Sequence, residues 1–160
     1  GEETTGRPST GHFVKFLTGW LDLPDTAARY PFGFGMGYSE IRYGAPSLSA
    51  TRTAADDPVV LTIELDNAGP RDVIETVQLY ASDPVARITR PSRFLIDFQQ
   101  VALRAGERRN VSFQIDAGQF RYPMAPSLET AEWVRDPGLV RLHVGPNSRD
   151  TQSLELTWLT

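Results

Sequence analysis

Apolar residues fall at every second position in a series of short runs, and each run ends at a turn signal. Val59, Leu61, Ile63 and Leu65 alternate with Val60, Thr62, Glu64 and Asp66, and Asn67-Ala68-Gly69-Pro70 stops that run. Val77, Leu79 and Ala81 alternate with Gln78, Tyr80 and Ser82 before Asp83-Pro84. Val111, Phe113 and Ile115 follow the turn Arg104-Ala105-Gly106-Glu107; Val140, Leu142 and Val144 precede Gly145-Pro146-Asn147; Leu154, Leu156 and Trp158 close the pattern. Successive side chains of a strand point to opposite faces, so each set marks one buried face. Short strands at this spacing predict an all-β sandwich over residues 45–160. Phe94-Leu95-Ile96-Asp97-Phe98 breaks the alternation, which predicts a β-bulge or a strand covered on both sides. The weakly patterned stretch from Asp116 to Pro137 predicts one helical turn after Asp116 and a short edge strand near Trp133.

Residues 1–44 differ in character and read as an N-terminal arm. Phe13, Phe16, Leu17, Trp20 and Leu21 sit at helical spacing, but Gly11 and Gly19 each weaken a helix by about 1 kcal/mol. The reading preferred is an irregular or partly extended segment. Its end, Tyr30-Pro31-Phe32-Gly33-Phe34-Gly35-Met36-Gly37-Tyr38, interleaves aromatic rings with turn-making glycines.

Composition excludes several functions. A net charge of −4 and a pI near 5.2 give no electrostatic footprint for nucleic acid. Arg104, Arg108 and Arg109 around one turn read as a solvated surface. No apolar run approaches the roughly 20 residues of a membrane span. With no cysteine, disulfides, zinc–cysteine sites and thiol nucleophiles are excluded, a usage that suits cytoplasm and periplasm equally. The opening Gly1-Glu2-Glu3-Thr4-Thr5-Gly6, without Met, is what a fragment or processed product would show.

No catalytic constellation emerges. His12 and His143 are the only histidines, and no G-x-S-x-G elbow exists. Asp56, Asp57 and Asp66 lack EF-hand spacing, and Gly33, Gly35 and Gly37 follow Pro-Phe rather than a buried strand, unlike a phosphate loop. Glu2-Glu3 and Asp56-Asp57 read as loop charges, and Asn110-Val111-Ser112 is a formal glycosylation sequon inside a predicted strand. No catalytic residue, metal ligand or cofactor is predicted.

The aromatic–glycine segment resembles the Y-P-F-G-Y-G-L-S-Y-T junction of glycoside hydrolase family 3. Thr5-Gly6-Arg7-Pro8 is similar to the family's N-T-G-R-P loop, and the stretch from Lys15 to Pro24 to its K-F-T-S-R-Y-L-D-V-P segment. Glu75-Thr76-Val77-Gln78-Leu79-Tyr80 resembles E-V-V-Q-L-Y. Asp83-Pro84-Val85-Ala86 with Arg90-Pro91, and Phe98-Gln99-Gln100-Val101-Ala102-Leu103 with Gly106-Glu107, follow in the family's order. Gly19, Met36-Gly37 and Asp97 depart from it. The resemblance implies an immunoglobulin/fibronectin type III-like antiparallel β-sandwich with an irregular N-terminal arm, the arm being the tail of an upstream α/β domain. It implies a parent enzyme of retaining β-glucosidase or β-xylosidase type, periplasmic or secreted, whose two carboxylates lie upstream of this segment. Retaining chemistry needs two carboxyl groups about 5–5.5 Å apart, and no motif here matches either.

The arm's rings need cover. Burying one large apolar side chain is worth about 1.5–3 kcal/mol, so leaving most of this set in water would forfeit on the order of 10 kcal/mol. The expected partner is the upstream catalytic region, contacted through Trp20, Tyr30, Phe32, Phe34, Tyr38, Tyr80, Arg90 and Pro91, with Arg7 as a candidate at the active-site rim. Two alternatives stand beside this: a carbohydrate-binding module with Trp133 and Tyr122 as platform, and an assembly or adhesion module forming homo-oligomers through the arm.

Overall fold

The computed structural model describes residues 29–54, 57–88, 90–124 and 132–159. The chain divides into two units, Gly1–Pro31 and Phe32–Thr160, and every element below belongs to the second. In the first, the guanidinium of Arg29 lies 5.7 Å from the Tyr30 ring centre.

Eleven strands form among the described residues: β1 (Ile41–Tyr43), β2 (Ser47–Leu48), β3 (Arg52–Thr53), β4 (Val59–Asn67), β5 (Val73–Ser82), β6 (Phe94–Leu103), β7 (Arg108–Ile115), β8 (Tyr122–Met124), β9 (Glu132–Val134), β10 (Gly138–Gly145) and β11 (Gln152–Trp158). In sheet I, β4 pairs with β7 along one edge and with β1 and β2 along the other, all antiparallel. Sheet II runs β3-β11-β10-β5-β6, antiparallel except that β3 lies parallel to β11. A two-stranded ribbon of β8 and β9 completes the set. The sandwich thus opens with β1 at Ile41, ahead of the expected boundary at residue 45.

The predicted inward residues form the core. Leu61, Ile63 and Phe113 of sheet I meet Leu79, Leu142 and Leu156 of sheet II, all fully buried. Water-filled gaps are costly in such interleaved packing, so each position is restricted in volume. The broken alternation in β6 is a bulge: Leu79 pairs with Asp97 and Tyr80 with Leu95, leaving Ile96 as the extra residue. The helical turn after Asp116 is a 3-10 turn, Ala117–Phe120. Asp116 caps it by accepting from the Gly118 N–H, and Gln119 returns a bond to the Asp116 N–H. The strand near Trp133 is β9.

Candidate docking surface

β5 carries core residues on odd positions and presents Ile74, Thr76, Gln78, Tyr80 and Ser82 on the outer face of sheet II. An outer face normally meets water, yet Gln78 and Tyr80 are buried, Tyr80 to 2% exposure. The chain's own segment from Phe32 covers them. The Phe32 ring meets the Tyr80 ring edge-on at 6.4 Å and 82°. The Gln78 amide donates to the Gly33 carbonyl at 3.0 Å and to the Pro146 carbonyl, and it accepts from the Tyr80 hydroxyl. The Phe32 carbonyl accepts from the Ser148 N–H at 2.9 Å. Burial pushes the Tyr80 hydroxyl above its ordinary pKa, with Arg93 opposing. Gly33 is required here: its φ is +77°, and a Cβ would stand 1.9 Å from the Gln78 Oε1.

The polar strip continues across the sheet. His143 of β10, beside Tyr80, has Nε2 3.0 Å from the Ser82 hydroxyl and Nδ1 2.7 Å from the Ser153 hydroxyl. Burial, helped by Arg93 and Arg141, pushes its pKa down to about 4. Arg93 donates to the Ser148 carbonyl and the Thr151 hydroxyl, holding the loop that holds Phe32.

The segment is fixed a second time at Ser39, whose hydroxyl donates to the buried Asn67 Oδ1 at 2.7 Å. Along the bridge between these anchors Phe34, Met36 and Tyr38 are exposed, Met36 to 88%. Beneath the bridge, Ile74 is 69% exposed and Phe98, paired with Gln78 on β6, is 56% exposed. These side chains and the glycine backbone bound a groove of about 470 Å³. Among the described residues the only ionisable one lining it is Glu75, whose Oε1 accepts from the Tyr43 hydroxyl at 2.6 Å; burial and then this carboxylate raise the Tyr43 pKa.

The predicted contact residues divide. Phe32 and Phe34 line this groove, Phe32 while seated on Tyr80, whereas Tyr38 is exposed and does not line it. Tyr80 is covered by its own chain. Arg90 is also consumed internally. It donates at 2.9 Å to both the Asp83 carboxylate and the Phe120 carbonyl, and its guanidinium lies 4.3 Å from the Phe94 ring centre. Pro91 is exposed, as is Tyr30 in the N-terminal unit. Arg7 and Trp20 lie outside the described residues. Ile74 and Phe98 were missed, though their signal was available: each is a large apolar residue at an outward position of its strand. The expected platform of Trp133 and Tyr122 does not form. Trp133 is exposed, but Tyr122 is 3% exposed, and its hydroxyl donates to Asp136 while accepting from the Arg87 N–H.

Among the described residues no group of three or more His, Asp or Glu side chains is placed to hold a metal ion, and no helix is long and apolar enough to cross a membrane. Several partly buried carboxylates are engaged within the fold: Asp83 by Arg90, Asp136 by Arg87, Asp66 by Arg108, Glu107 by Arg109 and Glu75 by Tyr43.

The model of the fibronectin type III-like domain matches residues 75–148. A β-xylosidase of Formosa agariphila is 30% identical over 147 residues, covering 91% of this chain and 20% of that enzyme. A β-glucosidase of Rhizobium radiobacter is 37% identical over 131 residues, covering 76% and 16%. The structure of the Listeria innocua β-glucosidase in complex with gluconolactone aligns with a TM-score of 0.80 at 28% identity, covering 99% of this chain and 21% of that one. The chain therefore spans about a fifth of the length of these relatives. Its sandwich is a fibronectin type III-like domain, and the chain belongs with the C-terminal portions of the family 3 glycoside hydrolases.

Proposed function

We propose that this chain is the non-catalytic C-terminal region of a family 3 glycoside hydrolase of retaining β-glucosidase or β-xylosidase type. It supports the catalytic domains that precede it and shapes the active-site rim, the latter through residues Thr5-Gly6-Arg7-Pro8. One observation carries this reading: nearly the whole chain aligns with glycosidases of which it covers only about a fifth, at their C-terminal end. The engagement of Asp66, Asp83, Asp136 and Glu75 in contacts within the fold is consistent with a supporting role. The partner is then the catalytic region of the same polypeptide.

The test pairs two assays. The isolated chain is expected to release no aglycone from aryl β-glucosides or β-xylosides. The complete enzyme is expected to lose thermal stability and activity when residues 32–160 are removed. Turnover by the isolated chain would overturn the reading.

A further inference from the structure

The outer face of sheet II is finished at one end and open at the other. Around Tyr80 and His143 every polar group has a partner and the Phe32–Gly33 segment lies over the strands. Toward Ile74 the cover by described residues stops, and Ile74, Phe98 and Met36 line the groove between strand face and bridge. The glycine-rich bridge is held at both ends yet bears large apolar residues outward. That costs solvation free energy unless something meets them.

Three occupants could fill such a groove: a second copy of this chain, a glycan, and the preceding domains of the same polypeptide. The relatives carry roughly four-fifths of their length beyond what this chain spans, and the match is C-terminal, so that mass lies ahead of it. The bridge forming one wall of the groove is also the segment by which the chain enters the sandwich. A covalently joined partner gains effective concentration that a second copy does not. We propose that this groove, with Ile74 and Phe98 as its floor and Met36 on its wall, is the face onto which the preceding catalytic part of the enzyme packs. The inference rests on the function proposed above and adds where and by what chemistry the contact is made. Glu75 is engaged by Tyr43 through Oε1, so the contact is carried by the apolar side chains of Ile74, Phe98 and Met36, and the complementary surface is apolar.

The test uses the complete enzyme with Ile74→Asp and Phe98→Asp together, and Val60→Asp on the outer face of sheet I as control. Limited proteolysis is expected to release the sandwich at least about tenfold faster from the double variant, the scale of losing a central apolar anchor. The control behaves as wild type, and 1 M NaCl leaves the difference unchanged. Met36→Asp, on the bridge, gives the same direction and leaves the Tm of the isolated chain unaltered. A fall in that Tm would overturn the inference, because the residue would then serve the fold itself. Unchanged proteolysis in an enzyme that still needs residues 32–160 overturns the surface and spares the function. Full stability and activity without residues 32–160 overturns both. Conversion of a dimer to a monomer at unchanged proteolysis assigns the face to a second copy and overturns the proposal.

Discussion

Asn67, the last residue of β4, gathers several loop ends around one buried side chain. Its Nδ2 donates to the carbonyls of Arg71, Leu103 and Arg104, and its Oδ1 accepts from the Ser39 hydroxyl and the Gly69 N–H. Its backbone N–H donates to the Glu107 carbonyl and its carbonyl accepts from the Gly106 N–H. One buried amide therefore joins the junction segment, the end of β4 and the turn between β6 and β7. Asn67→Ala leaves several of these groups without partners away from water. Urea unfolding of the chain is expected to show a loss of about 3 kcal/mol. Gly33→Ala acts more locally, because its strain falls on the Gln78 amide and the Phe32 anchor. A cost of about 1–2 kcal/mol is expected from the positive φ alone. The sharper readout is the Ser148 amide, which should exchange with deuterium faster once its Phe32 acceptor shifts. Unaltered exchange at Ser148 would mean that the anchor does not depend on Gly33.

At the scale of elements, the core was legible in the sequence and the cover was not. Parity along β4, β5, β7 and β10 marks the inward residues because burial on one face leaves a period of two. Even the bulge at Ile96 showed itself as two apolar residues out of phase. Nothing in that parity says that Gln78 and Tyr80 would be buried as well. Their cover comes from Phe32 and Gly33, 45 residues or more away in sequence, through backbone carbonyls that carry no residue signature. Arg90 misled for a similar reason: its type suits a surface, while its surroundings are the end of β5, the 3-10 turn and the start of β6. The pair it forms with Asp83 is nearly enclosed, with side-chain exposures of 13% and 4%. Breaking a buried pair from one side costs about 3–5 kcal/mol because a charge is left uncompensated. Arg90→Ala is thus expected to destabilise strongly, and adding Asp83→Ala to restore part of the loss. A double-mutant cycle by urea titration checks this, and simple additivity of the two losses would contradict the coupling.

Across the whole molecule, the outer face of sheet II couples its closure to pH through His143. The ring lies between Ser82 and Ser153, beside Tyr80 and near Arg93 and Arg141, the latter paired with Glu155. Its folded pKa of about 4 lies below the ordinary 6.5, so the unfolded chain binds this proton first. Stability is then complete above pH 6.5 and falls as the pH drops toward 4. In that window the slope approaches about 1.4 kcal/mol per pH unit. Glu107 and Asp136, whose pKa values are lowered by the Arg104 N–H and by Tyr122 respectively, lose their contributions only in the more acidic carboxylate range. Between pH 6.5 and 5 the histidine therefore dominates. Urea unfolding at several pH values is expected to show wild-type stability falling by about 2 kcal/mol across that interval. His143→Gln should flatten the curve there while keeping the acid loss below it. A protonated ring would also crowd Arg93, which secures the Ser148 carbonyl, so the Ser148 amide should exchange faster as the pH falls, after correction for intrinsic exchange. A wild-type curve already flat from pH 7 to 5 would show that His143 carries its proton as readily in the fold as in water.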